Sequence, residues 1–144
     1  MTVKQLSVFV QNIPGRLAEI TGFLAQHNIN LRAISMADTT DFGILRLIVD
    51  DPEHSAKLLR DNDYTVSITE VLAVGFADTP GSLAQVLALL ATESISVDYA
   101  YAFVCDDDEG ACIILKPSDL SRATELIKAQ KGVKLYAPED IYNF

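Results

Sequence analysis

A segment of this chain occurs twice, and this repeat constrains the fold more than any other feature of the sequence. The stretch that begins at Asn12 aligns without a gap with the stretch that begins at Asp78, at an offset of 66 residues. One inserted residue then brings Gly43 over Gly110. Because repeats in solenoid proteins are shorter, at roughly 20 to 45 residues, each copy is expected to be a domain.

Within the first copy, the spacing of apolar residues predicts the order β-α-β-β-α-β. Leu6, Val8 and Val10 alternate with polar residues, as in a half-buried strand. Apolar residues from Leu17 to Leu24 recur at helical spacing and predict one face turned to a core. The later predicted elements are strands at 31–38 and 43–49 around a turn at 38–41, a helix at 52–62 and a strand at 64–74.

The second copy repeats this order from Val71 to Ala137, with strands at 97–104 and 111–116 and helices around Val86 and from Leu120. No linker rich in Gly, Pro or Ser separates the copies, which favours packed domains. We therefore predict an α+β fold of two ferredoxin-like units packed side by side, at 1–70 and 71–144. Each has an antiparallel sheet with helices on one face. The apolar residues at 138–144 indicate a tail that docks.

The acidic charge excludes two classes of partner. The formal net charge is −9, from 20 acidic and 11 basic residues, and it repels nucleic-acid backbones and anionic membrane surfaces. The sequence also lacks an apolar run of about 18 residues or a secretory signal pattern. A soluble cytoplasmic protein is expected.

The chain contains two cysteines, Cys105 and Cys112. They can lie near each other across a hairpin, but a secreted domain of this size that depends on disulfides usually has more cysteines. Two buried thiols in a reducing compartment are therefore expected.

The repeated Pro-Gly turn has the chemistry to hold an amino acid. Gly15 and Gly81 have no side chain, so a ligand can approach the backbone. The first N–H groups of the following helix lack partners and favour a carboxylate. A side-chain oxygen of Asn12 or Asp78 can accept a hydrogen bond from an ammonium group. Asn30 and Ser96, entering the next strand, offer a further polar contact.

The local sequence leaves a structural alternative open. Asn12 and Asp78 can also act as helix caps, while Pro-Gly makes the bend. On local sequence alone this alternative is favoured. Asn30 is also typical of a loop residue without a binding role.

The two turn motifs, in matching places of two β-α-β-β-α-β units, resemble those of tandem ACT-domain proteins over nearly the whole chain. This resemblance favours ligand binding over capping. It implies modules that bind a free amino acid or similar small metabolite between one domain's turn and a neighbour's strand, and that pair through their sheets. The residues implied are Asn12, Ile13, Pro14, Gly15, Arg16, Leu17, Asn30 and Leu31, with Asp78, Thr79, Pro80, Gly81, Ser82, Leu83, Ser96 and Val97.

The family's known members regulate enzymes of amino-acid metabolism. This chain departs from many of them because it has no attached catalytic domain, so it is expected to act on a separate metabolic enzyme or to bind ligand alone. The leading hypothesis is a non-catalytic sensor without a cofactor or metal. The alternatives are a structural assembly subunit and a small enzyme on a ferredoxin-like scaffold.

Catalytic and metal-binding patterns are missing from the sequence. His27 and His54 lie outside any motif of paired ligands, and His27 is interpreted as a helix-end residue. The acidic run at 106–109 lacks the ligand spacing of an EF-hand and is interpreted as a solvated hairpin tip. An enzyme would need an acid–base pair in a cleft, and no candidate pair is evident.

Tyr99, Tyr101 and Phe103 alternate along one predicted strand and therefore share one face of the sheet. The favoured interpretation is packing against helices or a neighbouring sheet, and the alternative is the wall of a ligand pocket. Apolar residues are also predicted on the sheet face that the helices leave bare or at strand edges, and they predict a homodimer. The exposed candidates are Phe9, Ile34 and Ile48.

Overall fold

The computed structural model describes residues 1–38, 42–105 and 110–142. The predicted turn residues 39–41, the acidic run at 106–109 and Phe144 of the predicted docking tail lie outside these ranges. None of the helices in the described ranges is long and apolar enough to cross a membrane.

The first half of the chain forms the expected β-α-β-β-α-β order. Its elements are β1 (Val3–Gln11), α1 (Arg16–Gln26), β2 (Leu31–Asp38), β3 (Phe42–Val49), α2 (Pro52–Asp61) and β4 (Thr65–Ala77). Strand β4 continues into the second half as the first strand of its order. The remaining elements are α3 (Ser82–Ala91), β5 (Val97–Ala102), β6 (Gly110–Pro117), α4 (Leu120–Ala129), β7 (Lys134–Leu135) and α5 (Pro138–Tyr142).

The chain divides into two compact units. The N-terminal unit comprises Lys4–Thr69 with Ile141 and Tyr142, and the C-terminal unit comprises Met1–Val3 with Glu70–Asp140. Residues Met1–Val3 therefore belong to the C-terminal unit, and Ile141 and Tyr142 belong to the N-terminal unit.

Both units have the same strand order, which confirms the predicted fold class. In the N-terminal unit the order is β2-β3-β1-β4, and β3 is antiparallel to both of its neighbours. In the C-terminal unit β6 lies between β5 and β4, and β7 pairs with β4 on the opposite side, with all pairs antiparallel. This is the order of a split β-α-β unit.

In each unit, one face of the sheet and two helices enclose a core. In the N-terminal unit, alternate residues of β1 pack with Ile20 and Leu24 of α1 and with Ala56 and Leu59 of α2. The corresponding core of the C-terminal unit includes Leu72, Val74, Val86, Leu90, Ala123 and Ile127. The period of two in the strands and of about four in the helices accounts for this burial.

The predicted match of Gly43 with Gly110 is wrong by one residue. Val10 pairs with Gly43, and its repeat counterpart Phe76 pairs with Ala111, so Gly43 corresponds to Ala111. Gly110 pairs with Ala77. This difference matters, because a shift of one residue moves a side chain to the other face of a sheet.

Two of the three predicted exposed positions are exposed, and one is buried. Phe9 is 50% exposed on the bare face of the sheet. Ile34 is 49% exposed at the edge strand β2, on the side of the helices, because it pairs with Leu47 of the helix-facing core. Ile48 is fully buried, so its prediction as a surface residue is wrong. Both sides of β3 are covered at this end, because Leu47 and Val49 lie in the helix-facing core while Ile48 points to the other face.

Candidate functional site

The two Pro-Gly turns have the same backbone geometry. Gly15 has φ of 86° and Gly81 has φ of 88°, and each is the residue immediately before its helix. This left-handed conformation favours glycine. A Cβ atom added at either glycine would meet no heavy atom within 4 Å. The space above both turns is therefore open to another molecule.

Neither helix start is capped by a side chain, so the predicted capping role of Asn12 and Asp78 is wrong. A backbone turn replaces that cap: the N–H of Arg16 donates to the carbonyl of Ile13 at 3.3 Å, and the N–H of Ser82 donates to that of Thr79 at 3.2 Å. Asn12 and Asp78 lie in the exposed part of each turn.

Two N–H groups remain open at the start of each helix. In the first turn the N–H of Glu19 donates to Gly15, and in the second that of Gln85 donates to Gly81. The second and third residues of each helix lie between its two bonded residues, the first and the fourth. Their N–H groups have no backbone acceptor within the described part of the chain. They belong to Leu17 and Ala18 in the first turn and to Leu83 and Ala84 in the second.

The first turn carries a cation held by neighbouring polar groups. Arg16 Nη2 donates to the side-chain oxygen of Gln11 at 3.0 Å, and its Nη1 pairs with Glu19 at 3.3 Å. The hydroxyl of Tyr64 donates to the other oxygen of Glu19 at 2.9 Å. Burial, followed by the contact with Glu19, raises the pKa of Tyr64. The first turn therefore has a guanidinium held between Gln11 and Glu19.

The second turn has no basic side chain in the equivalent position. Ser82 takes the place of Arg16, and its hydroxyl lies 2.6 Å from the hydroxyl of Thr79. The carboxyl of Asp78 takes the place of the Asn12 amide. The two turns therefore share a backbone but differ in charge.

Asn30 and Ser96 lie at the opposite end of each unit from the turn. Helix α1 has 11 residues and so spans about 16 Å between the turn and Asn30. The N–H of Asn30 donates to the carboxyl of Asp50, and that of Ser96 donates to the hydroxyl of Ser118. Within one unit, the structure does not bring these residues to the turn.

Leu31 and Val97, which follow Asn30 and Ser96, are partly buried side chains packed against the two cores. Ile13, Leu17 and Leu83 are different, because they are 49%, 39% and 38% exposed beside the turns. Apolar side chains at these positions could contact a ligand held above the turn.

Sequence reasoning missed Gln11, Glu19 and Tyr64. The sequence could have identified Glu19, because a carboxylate three residues after an arginine lies next to it on a helix. Tyr64 lies 45 residues from Glu19 in the sequence, and no local pattern links the two.

The aromatic stripe does not pack against the helices of its unit. Ala100 pairs with Leu115 of the helix-facing core, so the neighbouring Tyr99 and Tyr101 lie on the other face. The ring centroids of these tyrosines are 6.4 Å apart, and the ring planes are inclined by 27°. Phe103 instead meets Tyr136 edge to face, with ring centroids 5.5 Å apart.

The expectation of two free thiols is wrong, because Cys105 and Cys112 form a disulfide. Their Cα atoms are 6.2 Å apart, across the end of the β5–β6 pair, which lies within disulfide geometry. The sulfur of Cys112 also lies 3.3 Å from the hydroxyl of Tyr136. Sequence separation alone could not show that the hairpin register aligns these two side chains.

His27 immediately follows α1, where its Nδ1 lies 2.9 Å from the carbonyl oxygen of Phe23. Its contacts are those of a helix-end residue. Among residues 1–38, 42–105 and 110–142, no cluster of three or more His, Cys, Asp or Glu side chains could hold a metal ion.

Comparisons with known proteins agree with this fold. The family model described as an ACT domain pair matches residues 1–143. None of the curated proteins matches the chain. Among solved structures, protein BT0572 from Bacteroides thetaiotaomicron is similar at 42% identity and a TM-score of 0.91, with 100% of this chain and 98% of that chain covered.

More distant similarity is found in the regulatory subunits of aspartate kinase. The ligand-free subunit from Thermus thermophilus has 12% identity and a TM-score of 0.63, over 87% of this chain and 90% of that chain. The subunit from Thermus flavus has 14% identity and a TM-score of 0.60, over 83% and 86%. These two show the fold alone. The match over 143 residues and the repeated ferredoxin-like order together show that the chain belongs to the family of ACT domain pairs.

Proposed function

We propose that this chain is a non-catalytic regulatory protein that binds a free amino acid or a similar small metabolite at its turns. The observation that carries this proposal is the pair of left-handed glycines, each with empty space above it and two open N–H groups beside it. The regulatory role of the family supports the same function.

The carboxylate of the ligand lies against the open N–H groups of Leu17 and Ala18, or of Leu83 and Ala84. The positive end of the helix dipole stabilises it there. Its ammonium group is accepted by Asn12 or Asp78. In the first turn Arg16 adds a cationic group for the carboxylate, although Glu19 offsets part of its charge.

Asn30, Leu31, Ser96 and Val97 take part only if they come from a neighbouring domain or a second chain. Each lies at the other end of its own unit from the turn. We therefore keep them as secondary members of the proposed site, beside the primary members at 12–17 and 78–83.

Calorimetric titration with free amino acids tests the site. In the Asn12→Ala, Asp78→Ala double variant we expect affinity to fall roughly ten- to a hundred-and-fifty-fold, because a hydrogen bond to a charged group is lost. The matched control is Gln26→Ala with Asp98→Ala, which also removes one amide and one carboxyl from exposed positions. Unchanged affinity in the folded double variant would show that the turns are only structural.

We further propose that the chain is a homodimer in the cytoplasm that regulates a separate metabolic enzyme. An apolar patch on the N-terminal unit supports the dimer. Phe9 pairs with Ile44 across β1 and β3, and Phe42, the next residue but one along β3, is 53% exposed. The Cys105–Cys112 disulfide argues against a cytoplasmic location, because thiols are kept reduced there. Alkylation of cysteines in fresh cell extract tests the location, and cysteines that react only after a reductant is added would contradict it.

A further inference from the structure

The C-terminal unit contains a cavity of about 430 Å³, which is within the size range of small-molecule sites. It lies between the end of β4, the start of β6 and the turn before β7. Five of its lining residues have no side chain or only a methyl group: Gly75, Ala77, Gly110, Ala111 and Gly132. Much of its wall is therefore main chain, with polar N–H and carbonyl groups within reach of a ligand.

The cavity exists because β7 is short. Strand β7 pairs only with Val74 and Gly75, whereas β4 continues to Ala77. Gly132, with φ of 83°, turns the chain just before β7. No described strand therefore covers the last two residues of β4 on the β7 side, and the gap beside them is the cavity.

One wall of the cavity is a tyrosine held on three sides. Tyr136 is 3% exposed, and a Cβ atom added at Gly75 would lie 2.8 Å from its ring. Phe103 packs edge to face against the same ring, and the sulfur of Cys112 contacts its hydroxyl. Such a wall is fixed before a ligand arrives, which reduces the entropy lost on binding.

Lys134 supplies the charge of the cavity. Its ammonium lies 4.4 Å from the centre of the Tyr136 ring, an arrangement that directs the cation over the aromatic face. In the part of the chain that the structure describes, Lys134 forms no ion pair, unlike Lys116 and Arg122 of the same unit. Among the described lining residues Lys134 is the one with a charged side chain, and a single cation matches a ligand with one negative charge.

We propose that this cavity binds a small organic carboxylate, whose charged group pairs with Lys134 and whose uncharged part lies along the glycine-lined wall. The cavity adjoins the second turn, because its lining residue Ala77 directly precedes Asp78, but it includes none of residues 78–83. The proposal does not depend on the function proposed for the turns. The N-terminal unit has no equivalent glycine wall, because Phe9 occupies the position of Gly75 in the repeat.

The seven glycines of the chain allow both sites to be followed in one experiment. In protein labelled with nitrogen-15 only at glycine, amide signals of Gly75, Gly110 and Gly132 report on the cavity. Those of Gly15 and Gly81 report on the turns, and Gly22 and Gly43 serve as internal references. The probes are L-leucine, its keto acid and L-leucinamide, which share one carbon skeleton but differ in charged groups.

We expect the cavity glycines to shift with leucine and with the keto acid, and not with leucinamide, which lacks the carboxylate. In Lys134→Gln the dissociation constant should rise about tenfold or more, because a charge-assisted bond is lost. Lys128→Gln, the same change at an exposed position of α4, should leave it unchanged. Shifts confined to Gly15 and Gly81 would overturn the cavity proposal and support the turn sites. Equal shifts with leucinamide, or an unaffected Lys134→Gln variant, would also overturn it.

Discussion

Gly15 and Gly81 adopt a backbone conformation that other residues rarely accept, although nothing fills the space beside them. Alanine at either position meets no clash but has to adopt a left-handed φ. We expect Gly15→Ala and Gly81→Ala each to lower the free energy of unfolding by about 1 to 2 kcal/mol. Urea denaturation of the two variants measures this change.

Gly22→Ala is the matched control for this prediction. Gly22 lies inside α1, and an added Cβ atom there also meets nothing within 4 Å. Alanine in a helix interior stabilises it by roughly 0.5 to 1 kcal/mol relative to glycine. A loss of stability in all three variants would mean that the backbone conformation is not the cause.

Tyr64 contributes stability that is lost at high pH. Because its pKa in the folded state is raised above the ordinary value of 10.0, the folded state holds the phenolic proton more tightly than the unfolded chain does. This stability is present below pH 10 and is lost as the pH rises further. In Tyr64→Phe the free energy of unfolding should therefore fall less steeply above pH 10 than in the wild type. Parallel curves from denaturant titrations at several pH values would contradict this.

Helix α4 begins with an aspartate cap, unlike the helices that follow the turns. The carboxyl of Asp119 accepts a hydrogen bond from the N–H of Arg122 at 3.0 Å. Asp119→Ala should lower the free energy of unfolding by about 1 kcal/mol, while Asp119→Asn should nearly preserve it, because asparagine is an equally good cap. Thermal unfolding of the pair distinguishes the cap from the charge, since equal losses would implicate the charge.

The disulfide ties the ends of β5 and β6 across seven residues of sequence. Replacing both Cys105 and Cys112 by serine should lower the free energy of unfolding by about 2 to 4 kcal/mol, mainly by loosening the unfolded chain. Wild-type protein treated with a dithiol reductant should lose a similar amount. The prediction fails if the unfolded, unreduced wild type shows two titratable thiols.

At the level of elements, the sequence predicts what depends on local periodicity. The strand expected at 31–38 is found as Leu31–Asp38, and the helix expected at 52–62 ends one residue earlier. Ile48 was misplaced because a period of two predicts alternation, but not whether a second layer covers the outer face. The pairing of Cys105 with Cys112 required the register of a hairpin, which the sequence does not specify.

For the candidate site, the sequence could identify the two glycine turns, because the repeat marks them and their backbone chemistry follows from residue type. It could not find the contact of Tyr64 with Glu19, or the cavity beside β4. Both depend on residues brought together by the fold from distant parts of the chain. Ligand binding at 12–17 and 78–83 remains a prediction.

At the scale of the whole molecule, the patch of Phe9, Ile44 and Phe42 predicts association. Replacing Phe9 and Phe42 by serine should convert a dimer to a monomer, because burial of aromatic side chains stabilises such interfaces. Light scattering coupled to size exclusion measures the mass. Val104→Ser removes another apolar side chain, 63% exposed in the other unit, and should leave the mass unchanged. A compact wild-type monomer at all concentrations would contradict the dimer.

The inclusion of Ile141 and Tyr142 in the N-terminal unit affects how that unit is completed during synthesis. Lys4 donates its N–H to the hydroxyl of Tyr142 at 2.7 Å, inside the N-terminal unit. A ribosome releases the chain from its amino end, so most of this unit emerges long before residue 142. The N-terminal unit therefore lacks its contact with Tyr142 until the ribosome has synthesised residues 70–140.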